Sequence, residues 1–154
     1  MIIDIDIASG NWGDVEYTVR RAAEMALDYL IDCETTVEVS IKLSDNNEVQ
    51  RLNRDFRGKD NPTNILSFGA EPPNLPWQAN LPRPLGDIIL AYSVVRQEAE
   101  AQGKTLENHL SHLIVHGVLH LWGFDHHTKD AAKKMEALEI EILAGMGISN
   151  PYLA

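Results

Sequence analysis

The spacing of apolar and polar residues changes several times along the chain, and each change marks an element. Ile3, Ile5 and Ile7 alternate with Asp4 and Asp6, the period-two pattern of a half-buried strand. From about Val15 to Ile31 the apolar positions Val15, Val19, Ala22, Ala23, Ala26, Leu27 and Leu30 recur at helical spacing. Alternation returns at Val37, Val39, Ile41 and Leu43, with Glu38, Ser40 and Lys42 between them, and predicts a second strand. Ser44 or Asp45 can cap a following helix, whose inward positions are expected at Val49, Leu52 and Phe56.

Beyond a Gly-Lys-Asp-Asn-Pro turn, NILSFG is a short strand candidate. The proline-rich EPPNLPWQANLPRP that follows is expected to exclude regular ladders and to form a long functional or mobile rim. LGDIILAY resumes as a strand, Ser93 is placed to cap the helix VVRQEAEAQ, and Gly103 to stop it. Thr105 starts TLENHLSHLIVHGVLHLW, Gly123 ends it, and a last helix runs from about Asp130 to Met146. The order of strand, helix, strand, helix, two strands and three helices predicts an α+β fold. It consists of a small mixed four-stranded sheet packed with about five helices.

Composition narrows the function classes. A chain of 154 residues with 44% hydrophobic content suits one compact domain over residues 1–154. No apolar run reaches the roughly 18 residues of a membrane helix, and MIIDIDIASG has acids where a secretory leader would have a basic flank. No membrane partner and a cytoplasmic location are therefore expected. The lone Cys33 is expected to be a small buried residue, not a nucleophile. A net charge of −10 argues against a diffuse polyanion binder. The average conceals an asymmetry: residues 1–50 hold eleven acids against Arg20, Arg21 and Lys42, whereas RLNRDFRGK, 51–59, sets Arg51, Arg54, Arg57 and Lys59 against Asp55 alone. A charge run of this kind is ordinarily a solvated helix face.

The chemistry concentrates in HGVLHLWGFDH, His116 to His126. His116 and His120 are four apart on one helix, so their imidazoles project from one face about 6 Å apart along the axis. Gly123 can take the left-handed conformation that ends a helix and returns the chain, so His126 can reach the same point. Three neutral imidazoles leave a fourth position open, as at catalytic zinc. His126 is chosen over its neighbour His127 because H-x3-H-x2-G-x2-H matches the offsets of the metzincin ligand set. The metzincin general base is missing, however, since Gly117 stands where those peptidases carry glutamate. A metallopeptidase is thereby disfavoured. Asp125 is read either as a partner that orients a ligand imidazole or takes a proton, or as a turn residue. His109 and His112, on the same helix face as His116, either extend a polar cleft or are partly buried and hydrogen-bonded to backbone. Three imidazoles also suit nickel, copper or iron.

HGVLHLWGFDH resembles the H-G-x-L-H-L-x-G-x-D-H signature of the YbeY family, bacterial single-strand-specific endoribonucleases and rRNA maturation factors. RGKDNPTNILSF, 57–68, resembles the family's arginine-bearing block, LGDII its next strand, and MEALEIEILAGMG with NPY its C-terminal end. The resemblance implies one zinc ion per chain held by His116, His120 and His126. It also implies a cleft lined by Arg57, a precursor or single-stranded rRNA substrate, ribosomal partners, and processing chiefly at the 3′ end of the small-subunit RNA. On this reading Arg57 grips the scissile phosphate in a bidentate way. Arg54, Lys59 and His112 contribute to substrate binding, and Asp125 shares the catalytic role with Arg57. Phe68 and Trp77 are candidates for base stacking. The main rival is a non-catalytic ribosome-assembly factor whose zinc only stabilises the fold.

Overall fold

The computed structural model describes residues 1–31, 36–70 and 82–153; Cys33, Trp77 and most of the proline-rich segment lie outside them. Among the described residues the order is β1 (Ile2–Ile7), α1 (Glu16–Leu30), β2 (Val37–Ser44), α2 (Asn46–Arg57), β3 (Ile65–Gly69), β4 (Arg83–Ala91), α3 (Tyr92–Ala101), α4 (Leu106–Trp122) and α5 (Lys129–Ala144). The strands form one mixed sheet in the order β1-β2-β4-β3, with β3 antiparallel to β4 and the other pairs parallel. This is the α+β architecture expected from the pattern. No described helix is long and apolar enough to cross a membrane.

Alternation along β2 and β4 gives the sheet two chemically different faces. Val37, Val39, Ile41, Leu43, Ile88 and Leu90 point into the main core, where α1 and α4 pack on each other and on the sheet. On the opposite face α2 covers only part of the sheet, through a small cluster of Val49, Leu66, Ile89 and Ala91 with Leu52 beside it. The remainder of that face is an open cleft. Gly86 lets β3 and β4 close at its edge: a Cβ there would fall 2.0 Å from the Phe68 carbonyl oxygen, so any other residue would force the strands apart.

Four local expectations are corrected. Phe56 is not inward but 71% exposed, because the last turn of α2 stands over the open cleft. The buried position is taken by Asn53, whose amide donates to the Asn61 carbonyl (2.9 Å) and so pins the turn after the helix. Ser93 caps nothing, because β4 runs directly into α3 and Ala91 occupies the cap position. The prolines do not exclude a ladder at Pro84, which lies within β4. The Arg83 N–H goes to Thr36 on the β2 side (2.7 Å), so the missing donor of Pro84 faces the side where β3 has already ended. Ile7 is exposed, since β1 is an edge strand and the core covers Ile3 and, in part, Ile5.

Candidate metal centre

Helix α4 is fixed at both ends by its own sequence. The Thr105 hydroxyl accepts from the Asn108 N–H (3.1 Å), and Gly123, at φ 121°, donates to the carbonyls of His120 (3.1 Å) and Leu119 (3.2 Å). Between the caps most of the helix is buried, so its register cannot slide. Gly117 sets the depth: a Cβ there would meet Ile65 Cδ1 and Ile88 Cδ1 at 3.0 Å. The position after His116 therefore faces the sheet, and a glutamate there would be driven into the core instead of towards the histidines.

His116 and His120, one turn apart on α4, are half-buried, and their ring centroids lie 4.6 Å apart. Residues 123–128 turn the chain back and place the His126 ring 5.1 Å from His120 and 5.8 Å from His116. One ligand nitrogen from each lies within 4.8 Å of the others. Ligands at about 2 Å from one zinc stand about 3.3 Å apart in a tetrahedron, so modest ring rotations suffice for all three to share an ion. His127 is not part of this group; its ring lies against His126 at 6.0 Å.

The strongest feature of the site was missed in the sequence. Glu139 of α5 is buried, with Oε1 2.8 Å from His116 Nδ1 and 3.2 Å from His112 Nε2, while Oε2 accepts from the Tyr152 hydroxyl at 2.5 Å. Burial by itself would raise the Glu139 carboxyl, but these hydrogen bonds from His112, His116 and Tyr152 overcome it and hold the group down at about 2. An ionised carboxylate only accepts, so His116 must carry its proton on Nδ1, which leaves the Nε2 lone pair free for a metal. Burial, with His116 and His126 adding to it, lowers His120 to about 4 and keeps that ring neutral at pH 7, the form that coordinates. The donor set, its protonation and its outward opening fit a transition-metal ion. The clue in the sequence was a glutamate on the inward stripe of α5, in line with the buried Met135, Ile142 and Leu143.

The remaining candidates are dispersed. His112 is tied to Glu139 and Tyr152 (3.3 Å). His109, 3% exposed, pairs with Glu98 (3.0 Å), and its imidazole stays below the ordinary histidine range through burial. Neither uses a backbone partner in these contacts. Asp125 Oδ1 accepts from the His127 N–H (3.1 Å) and so shapes the turn that carries His126. Arg57 closes α2, donating through Nη2 to the Ser67 carbonyl (2.5 Å) with its guanidinium 5.3 Å from the Phe68 ring centroid. It lines the open cleft, about 960 Å³ in volume, on a lining that includes none of the three histidines. Arg54, engaged with Asp55 (3.0 Å), and Lys59 are both exposed and lie outside that lining.

The family model described as Endoribonuclease YbeY matches residues 7–147. A protein named Endoribonuclease YbeY from Rhodopseudomonas palustris is 49% identical over 138 residues, covering 89% of this chain and 72% of its own. One of the same name from Paramagnetospirillum magneticum is 47% identical over 155 residues, covering 97% and 94%. The solution structure of a Thermotoga maritima protein superposes with a TM-score of 0.59 at 23% identity, covering 99% of this chain and 97% of the other, which supports the fold. With the family model spanning nearly the whole chain, this protein belongs to the endoribonuclease YbeY family.

Proposed function

We propose that this protein is a metal-dependent, single-strand-specific endoribonuclease that matures ribosomal RNA, chiefly at the 3′ end of the small-subunit RNA, and serves ribosome quality control. The observation that carries the reading is the convergence of His116, His120 and His126, with His116 locked by Glu139, in a chain 47–49% identical to proteins named as endoribonucleases. One zinc per chain is the ion we assign, on three imidazoles in a chain whose lone cysteine offers no redox pair.

When bound, zinc supplies a Lewis acid for a phosphoryl oxygen and lowers the pKa of an attacking water. The protein's part is positional. Glu139 fixes the tautomer and ring plane of His116, and Tyr152 and His112 hold Glu139 in turn. Asp125 holds the turn that presents His126. Arg57 keeps part of its guanidinium free beyond its bond to Ser67, and with Arg54 and Lys59 supplies the basic rim that holds RNA phosphates. A side chain at position 117 would run into Ile65 and Ile88, which leaves no place for the glutamate base of a metzincin peptidase.

The test is cleavage of an end-labelled RNA carrying an unprocessed small-subunit 3′ end by wild type, His116→Ala and Arg57→Ala purified in parallel. Cutting by wild type alone, stopped by a chelator, is the expected result. Equal cutting by all three, or by none, overturns the reading in favour of a zinc-stabilised assembly factor.

A further inference from the structure

The open cleft has an unusual floor. One cross-strand row runs Asp4, Ser40, Asp87, Phe68 from β1 to β3, each residue directly paired with the next. At the β3 end α2 overhangs this row with Phe56, whose ring meets Phe68 edge-on at a centroid distance of 5.8 Å. A phenylalanine 71% exposed on a helix that has an apolar face to bury is not explained by packing. Arg57, stacked on Phe68, marks the rim.

The charges say which part of a ligand enters. Lys42 in the cleft is already paired with Glu48 (2.9 Å), so Asp4, Asp6 and Asp87 outweigh Arg57 inside it. A phosphate would be repelled from that floor and retained at the rim by the guanidinium. A neutral, flat group with N–H donors on its edge meets the opposite conditions: aromatic faces to stack on and carboxylates to receive its protons. Among the described residues no hydrogen bond or ion pair engages the Asp87 carboxylate.

We propose that Phe56, Phe68 and Asp87 form a nucleobase subsite, in which one unpaired base stacks on the exposed Phe56 ring and meets Phe68 at a steep angle, with its amino edge towards Asp87, while Arg57 holds the adjoining phosphate. Guanine can give a carboxylate two donors from one edge and cytosine one amine, whereas uracil presents a single N–H between two carbonyl oxygens. The subsite therefore selects amino-bearing bases. It rests on the endoribonuclease reading and adds to it a reason for preferring single strands, since a base in a duplex cannot enter.

The experiment titrates the isotopically labelled full chain with GMP, CMP and UMP, following the backbone amides of residues 67–69 and Asp87 by NMR, with RNA cleavage measured on the same preparations. GMP and CMP should move those amides, with UMP several-fold weaker. Phe56→Ala should weaken GMP binding about tenfold, the size expected for loss of one stacking partner, and Phe56→Trp should restore it. Asp87→Asn, which adds an amide donor, should narrow the gap between GMP and UMP, a change that a merely structural residue would not produce. Nucleotide shifts confined to other residues, unchanged affinity in Phe56→Ala, or a basic peptide moving these amides where the nucleotides do not, each overturns the subsite. If wild type cleaves RNA while the cleft stays silent, the subsite fails and the endoribonuclease reading stands. If the cleft binds GMP but no RNA is cut, the reverse holds.

Discussion

His116 Nδ1 and Glu139 Oε1 lie 2.8 Å apart, joining the first histidine of the motif on α4 to a buried carboxylate on α5, 23 residues away. The bond decides which nitrogen of His116 faces the opening, and Tyr152 and His112 secure the same carboxylate from the C-terminal segment and from one turn earlier on α4. A metal site read only as three histidines omits the group that orients one of them.

Glu139→Gln should therefore lower metal affinity by about 10- to 100-fold, the usual range for losing such a partner. Competition with a chromogenic chelator, read beside an unchanged circular dichroism spectrum, checks this. Glu139→Ala should also cost stability, because it strips the acceptor from the half-buried His112 and His116 at about 1–3 kcal/mol each, and from the more exposed Tyr152 at less. Wild-type affinity in Glu139→Gln would show that His116 is oriented by something else.

Acid should weaken the metal-free protein in two stages. His120 falls from 6.5 to about 4 on folding and Glu139 from 4.5 to about 2. In both cases the unfolded chain binds more protons, so stability rises with pH. The His120 contribution is complete above pH 6.5 and is lost as pH falls through 4; that of Glu139 is complete above pH 4.5 and is lost towards 2. The Glu139 part amounts to roughly 3 kcal/mol. Urea unfolding at pH 7, 4 and 3 should show a steeper loss for wild type than for Glu139→Gln, and parallel slopes would refute the assignment.

Tyr152 is the accessible end of the same network. Its hydroxyl is pushed above the ordinary tyrosine range by burial and by the neighbouring Glu139, so it remains a donor at neutral pH. Tyr152→Phe should lose one charge-assisted hydrogen bond, about 1.5–3 kcal/mol in urea unfolding, with metal affinity falling less than in Glu139→Gln.

Gly117→Ala places a methyl 3.0 Å from Ile65 and Ile88 and should destabilise the fold by about 1–3 kcal/mol through overpacking. Gly117→Glu should unfold the protein or displace α4, and should not produce a peptidase. A stable Gly117→Glu that hydrolyses casein would overturn the placement of that position against the sheet.

Chelation should lower the melting temperature and returning zinc should restore it, because an ion that binds only the folded chain adds about 2.7 kcal/mol at a hundred times its Kd. His126→Ala should reduce that zinc-dependent shift while leaving the metal-free melting temperature nearly unchanged, since His126 is exposed.

Period and punctuation determined the element order, the mixed α+β class, the caps at Asp45, Thr105 and Gly123, and the convergence of three histidines, because each depends on residues within a few turns of one another. Local signals could not say that Glu139 meets His116, that Phe56 faces a cleft instead of a core, or that Ser93 has no helix start to cap. Those outcomes depend on which elements lie opposite: α5 brings its one inward carboxylate to α4, and α2 leaves part of a sheet face uncovered. Hydrophobic spacing specifies that a stripe is buried, and only tertiary packing decides what it is buried against, which is why the histidine cluster was legible in the sequence and the carboxylate that orients His116 was not.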